Sequence, residues 1–78
     1  MYEDSWWFDK EKPGWYETTK ICRSTSKYED MVKWIVDTLD KPYRHCRWHQ
    51  ELNESLFLQI RVRFRYERDY ILFTLRWS

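Results

Sequence analysis

The chain has 78 residues, with 14 Lys and Arg set against 13 Asp and Glu, and 21% of it is aromatic, including six Trp. That length allows one α+β domain over residues 1–78, near the lower limit of what folds without disulfides or metals. The balanced charge speaks neither for a nucleic-acid binder nor for an acidic DNA mimic, and 42% hydrophobic residues exclude a disordered tail.

The start, Met1-Tyr2-Glu3-Asp4-Ser5, is acidic and leads into no long apolar run, so it reads as no secretion signal. Nowhere does an apolar stretch approach the ~20 residues that span a membrane. Cys22 and Cys46 are too few for a disulfide framework and read as reduced core residues of a cytoplasmic protein. Trp6-Trp7-Phe8 comes next, too short to assign on its own. With Trp15 and Tyr16 it either completes the core, where it can fill an open position at the sheet edge, or forms an exposed patch; the shortage of other core residues favours the first. The single glycine lies in the turn Lys12-Pro13-Gly14.

Residues 15–23, rich in aromatic and β-branched side chains, predict a strand. Ser26 and Glu29 have the spacing of a capping box. Tyr28, Met31, Val32, Ile35, Val36 and Leu39 then form one apolar helical stripe, which Pro42 closes. In residues 45–52, Cys46, Trp48 and Leu52 alternate with His45, Arg47, His49 and Glu51. After a turn at Asn53-Glu54, residues 56–66 alternate more cleanly: Leu56, Leu58, Ile60, Val62, Phe64 and Tyr66 on one side, Phe57, Gln59, Arg61, Arg63 and Arg65 on the other. This is a long, half-buried strand, paired by a hairpin to the one before it. The last ten residues fit either a further strand, which their β-branched and aromatic residues favour, giving β-α-β-β-β, or a short helix. In the helix Glu67 and Asp69 occupy the first turn and Tyr70, Phe73 and Trp77 share a face.

The run Phe64-Arg65-Tyr66-Glu67-Arg68-Asp69-Tyr70-Ile71-Leu72-Phe73-Thr74-Leu75-Arg76-Trp77-Ser78 resembles the C-terminus of small uncharacterised accessory proteins of tailed bacteriophages. The shared pattern is aromatic-x-aromatic, a few charged residues, Asp, then x-x-x-Phe-x-Leu-x-Trp; the pairs Lys33-Trp34 and Arg47-Trp48 also have counterparts there. The resemblance carries no activity. It implies a viral origin, hence a host cytoplasm, and favours the C-terminal helix. The expected order is therefore β-α-β-β-α, a small antiparallel sheet with both helices on one face, resembling a ferredoxin-like unit that lacks one strand.

Such a sheet leaves its other face to His45, Arg47, His49, Phe57, Gln59, Arg61, Arg63 and Arg65, with Thr18 or Lys20 from the first strand and Glu51 as the one acid. A solvated polar face is the ordinary outcome for an antiparallel sheet. Arginines beside an aromatic also suit single-stranded nucleic acid, although Phe57 alone is a poor stacking platform. Candidate binding residues are Arg47, His49, Phe57, Arg61, Arg63 and Arg65 on this face, with Trp6 and Trp7 as a second, aromatic group of the kind favoured at protein interfaces.

His45-Cys46-x-x-His49 does not form a metal site on a strand, because Cys46 faces away from both histidines. A thiol among apolar neighbours is no nucleophile, and one glycine builds no phosphate loop. No cofactor, metal or enzymatic activity is expected. The expected function is binding, by surface contact, to a host macromolecule, a protein in the first instance. Single-stranded nucleic acid bound on the arginine face and a structural homodimer are the alternatives.

Overall fold

A computed structural model of the chain describes residues 5–78; Met1-Tyr2-Glu3-Asp4 lies outside the described residues. The chain opens with a 3-10 turn at Ser5–Asp9, followed by β1 (Tyr16–Ile21), α1 (Thr25–Thr38), the one-turn helix α2 (Pro42–His45), β2 (Cys46–Leu52), β3 (Leu58–Phe64) and α3 (Glu67–Arg76). The strands form one antiparallel sheet in the order β1-β3-β2, so the most regularly alternating segment of the sequence is the central strand. Among the described residues no helix is long and apolar enough to cross a membrane.

The register sets the layers. Tyr16, Thr18 and Lys20 lie opposite Phe64, Val62 and Ile60, which in turn face Cys46, Trp48 and Gln50. Paired residues share a side of an antiparallel sheet, so Trp48, Ile60, Val62 and Phe64 form one apolar floor. Tyr28, Met31, Val32, Ile35 and Leu39 of α1 cover it, together with Phe73 of α3; all are buried. Trp34 and Phe64 both meet the Phe73 ring, at centroid distances of 5.9 and 5.3 Å. Removing a side chain such as Phe73 from this floor would cost about 3–5 kcal/mol, as much as the whole margin of a chain this short.

Helix α1 begins two residues before the Ser26–Glu29 spacing predicts. Ser24 is the cap, extended at φ −157°, and its hydroxyl accepts from the Lys27 amide at 3.2 Å. Capping there places Tyr28 in the core and bonds its amide to the Ser24 carbonyl. The helix also ends before Pro42: Leu39 closes it, and Pro42 instead opens α2, where its fixed φ suits a first helical position. The C-terminal segment is the helix rather than the strand. Glu67 and Asp69 stand in its first turn, as its dipole favours, and Tyr70, Phe73 and Trp77 pack inward.

Trp6-Trp7-Phe8 does not join the sheet. It lies in the 3-10 turn, which packs against β2, and the chain then reverses at Lys12-Pro13-Gly14-Trp15. The Trp15 amide bonds the Lys12 carbonyl at 3.2 Å, and Gly14 takes the positive φ (86°) that such a turn requires.

Candidate functional site

The sheet face turned away from α1 and α3 carries Arg47, His49 and Glu51 from β2 and Gln59, Arg61 and Arg63 from β3. From β1 it receives Glu17, Thr19 and Ile21, not Thr18 or Lys20, which lie on the covered side. Sequence parity within β1 misleads because this strand has no clean apolar alternation; only its pairing with β3 fixes which side each residue takes. His45, Phe57 and Arg65 fall outside the strands. His45 ends α2, its ring 4.9 Å from Tyr66, and the Arg65 guanidinium lies 5.9 Å from the Trp15 ring.

The arginine face is neither bare nor strongly basic. Arg63 is only 8% exposed. Its Nε donates to the Glu17 carboxylate at 2.7 Å and one terminal nitrogen donates to the Lys10 carbonyl at 2.8 Å. Glu51 accepts from Arg61 at 2.9 Å and from the Gln59 amide at 2.6 Å, and stands 2.9 Å from His49. Trp7 and Phe8 complete the cover. The Arg63 guanidinium lies 4.6 Å from the buried Phe8 ring and 5.4 Å from Trp7, whose ring also takes Arg47 at 5.5 Å and Lys12 at 4.8 Å. Phe8 rests on His49 at 4.4 Å, and Trp7 meets Trp15 edge-on at 5.0 Å. The two candidate groups, arginine face and Trp7, are therefore one packed layer. Trp6 stands apart from it, 68% exposed.

The three members of His45-Cys46-x-x-His49 have different surroundings: Tyr66 for His45, the core for Cys46, Phe8 and Glu51 for His49. Cys22 is also buried and free, and burial raises its thiol pKa, against smaller opposing effects of the Ile60 backbone and Lys27. A thiol held neutral in this way is a core residue rather than a nucleophile.

At the other end of the same sheet the surface is apolar. Ile21, Leu52, Leu56 and Phe57 are all exposed there, with Leu56 at 75% and Phe57 at 61%. Leu56 and Phe57 precede β3, which begins at Leu58 rather than at residue 56. They belong to a hairpin loop that is firmly tied. The Asn53 amide bonds the Phe57 carbonyl at 3.0 Å and the Leu56 amide bonds the Asn53 carbonyl at 2.9 Å. The Asn53 side-chain oxygen accepts from the amides of Ser55 and Phe57 at 2.9 and 3.0 Å. Closing a three-residue loop in this way puts its last residue in the left-handed region, where glycine is usual. Here that residue is Leu56, at φ 64°. Between this loop and the end of β1 lies a notch lined by Ile21, Cys22, Arg23, Leu56, Phe57 and Leu58.

Of this group only Phe57 is marked by sequence alternation. Leu56 and Ile21 look like ordinary strand residues until the loop and the register are known. A second exposed apolar set, Ile71, Leu72 and Leu75, lies on α3.

The chain matches no protein-family model, no curated protein and no solved structure.

Proposed function

We propose that this chain is a non-enzymatic binding protein that holds a protein partner through the apolar end of its sheet, at Ile21, Leu56 and Phe57. The observation that carries the reading is Leu56. A left-handed backbone costs a leucine roughly 1–2 kcal/mol relative to its normal region. An asparagine or glycine would make the same turn more cheaply and without an exposed apolar side chain. Strain and apolar exposure at one residue, on a loop fixed by four hydrogen bonds, mark a contact point rather than a connector. The neighbouring aromatic Phe57 and the notch against Ile21 supply an anchor and a pocket of the kind on which interface energy concentrates.

The arginine face supports the nucleic-acid alternative less well. Arg61 and Arg63 are occupied by Glu51 and Glu17, and the rings nearest them are covered by guanidinium groups. Neither phosphate nor base finds a free row there. If the phage resemblance of residues 64–78 reflects origin, the partner is a host protein met in the host cytoplasm, and the chain acts as its inhibitor or modulator.

The test is affinity capture from bacterial lysate at low and high salt with the wild type, the double variant Leu56→Asn/Phe57→Ser and the control Leu75→Glu. A protein retained at high salt by the wild type and the control, but lost with the double variant, supports the reading. The same protein retained by the double variant, or capture of nucleic acid alone, overturns it.

A further inference from the structure

The notch at Ile21 is continuous with an unpaired strand edge. β3 is central, so β1 has one paired and one outer side, and among the described residues no strand pairs with the outer one. The ladder shows which groups face outward. The Cys22 amide bonds the Leu58 carbonyl at 2.8 Å, so the backbone groups of Cys22, and with them those of Lys20, Thr18 and Tyr16, point toward β3. The N–H and C=O groups of Glu17, Thr19 and Ile21 therefore point outward, along an edge that contains no proline and no bulge. β2 has an outer edge too, but the notch and the cations Lys20 and Arg23 lie beside β1.

Two cations mark the far half of this edge. Lys20 and Arg23 have no ion-pair partner among the described residues, whereas Glu17, the one acid of β1, is already held by Arg63. Lys20 sits on the helix-covered side opposite Ile60, an inward-pointing charge of the kind that discourages indiscriminate strand addition. A charge that repels arbitrary strands also selects one that brings a carboxylate to it.

We infer that the partner's contact segment binds as an added strand on the outer edge of β1. It is an extended stretch with alternating acidic and apolar residues. Its main chain pairs with Glu17, Thr19 and Ile21, a carboxylate meets Lys20 or Arg23, and an apolar side chain enters the notch beside Ile21 and Phe57. The inference rests on the protein-binding reading above and adds the mode of binding and the chemistry of the segment. Main-chain pairing supplies general affinity in this mode, while the side-chain contacts at alternate positions supply selectivity.

The experiment uses the full chain and two fluorescein-labelled synthetic decapeptides, one alternating valine and glutamate, the other valine and lysine. The wild type should bind the acidic peptide saturably and at least tenfold more tightly than the basic one. Amide exchange should slow at Glu17, Thr19 and Ile21. Thr19→Pro removes one outward N–H that the fold itself does not use, a change tolerated on edge strands. It should keep the circular-dichroism spectrum and weaken acidic-peptide binding at least tenfold. If proline disturbs the strand, Lys20→Glu serves in its place and should reverse the preference between the two peptides.

Undiminished binding to a folded Thr19→Pro chain, equal binding of both peptides, or no binding of either overturns the inference. A wild-type dimer that Thr19→Pro dissolves also overturns it, since the edge would then belong to a second copy. The two readings fail separately. A lysate partner lost with Leu56→Asn/Phe57→Ser but kept by Thr19→Pro leaves the apolar tip standing without the edge. Peptide binding that ignores the tip but needs Thr19 leaves the edge standing without the tip.

Discussion

Two aromatic residues at opposite ends of one sheet meet opposite fates. At one end, Phe8 is buried against His49 and Arg63 in the N-terminal turn; at the other, Phe57 projects from a hairpin loop, 61% exposed. The difference does not arise from local hydrophobicity, since Trp6-Trp7-Phe8 and Leu56-Phe57-Leu58 are comparably apolar. It arises from what each segment can reach. The N-terminal segment lies back over the sheet and lays its rings on the Arg63 guanidinium, itself neutralised by Glu17. The loop at residues 53–57 is closed on itself by Asn53 and cannot fold back. One end of the face has thus become a second, minor core, while the other stays exposed.

The comparison breaks most directly at Phe8. Phe8→Ala should lower stability by about 3 kcal/mol, the low end of the range for buried phenylalanines because this layer is thin and can partly collapse. Urea denaturation followed by tryptophan fluorescence measures it. A loss of only ~0.5 kcal/mol, the size of an ordinary surface change, would mean that the turn rests on the sheet without packing against it.

Arg63 tests whether the arginine face is structural. Arg63→Ala should cost about 2 kcal/mol, less than a fully buried pair would lose, because the freed Glu17 can regain water. Arg63→Lys should recover under half of that, since an ammonium cannot fork between the Glu17 carboxylate and the Lys10 carbonyl. If both variants are as stable as the wild type, Arg63 is free for a ligand and the nucleic-acid alternative returns.

The contrast also shows what the sequence could and could not disclose. The apolar floor was legible because Leu58, Ile60, Val62 and Phe64 alternate without interruption, and the stripe from Tyr28 to Leu39 could only be a helix facing them. The C-terminal helix was only half legible: Glu67, Asp69 and the spacing of Tyr70, Phe73 and Trp77 fit it, but the same residues fit a strand, which their propensity favours, and the resemblance of residues 64–78 decided between them. The face opposite reads from sequence as arginine-rich and solvated, with Glu51 its one acid. Its neutralisation depends on Glu17, distant in sequence from Arg63, and on a β1 register that side-chain pattern does not determine. Its cover comes from Phe8, whose place is set by a turn rather than by periodicity. Leu56 was hidden for a similar reason: in an alternating run it reads as the first strand residue, and only the closed loop turns it into a strained, exposed one.

A change of opposite sign is expected at that residue. Leu56→Asn relieves a left-handed conformation that asparagine tolerates, so stability should rise by about 0.5–1 kcal/mol. Partner capture should fall in the same protein. A more stable chain that binds less well separates function from folding in a single substitution. If Leu56→Asn is destabilising, the leucine side chain is contributing to the fold and the contact-point argument loses its support.

The smallest effect is the most discriminating. Phe57→Ala should change stability by less than ~0.5 kcal/mol, because the ring is largely in water and the Phe57 backbone, through its bonds to Asn53, does the structural work. Phe8 and Phe57 thus undergo the same substitution at opposite ends of one sheet, with expected costs several-fold apart. Equal costs near ~3 kcal/mol would show that Phe57 is packed in solution, and the apolar end would then be part of the core rather than a surface kept for a partner.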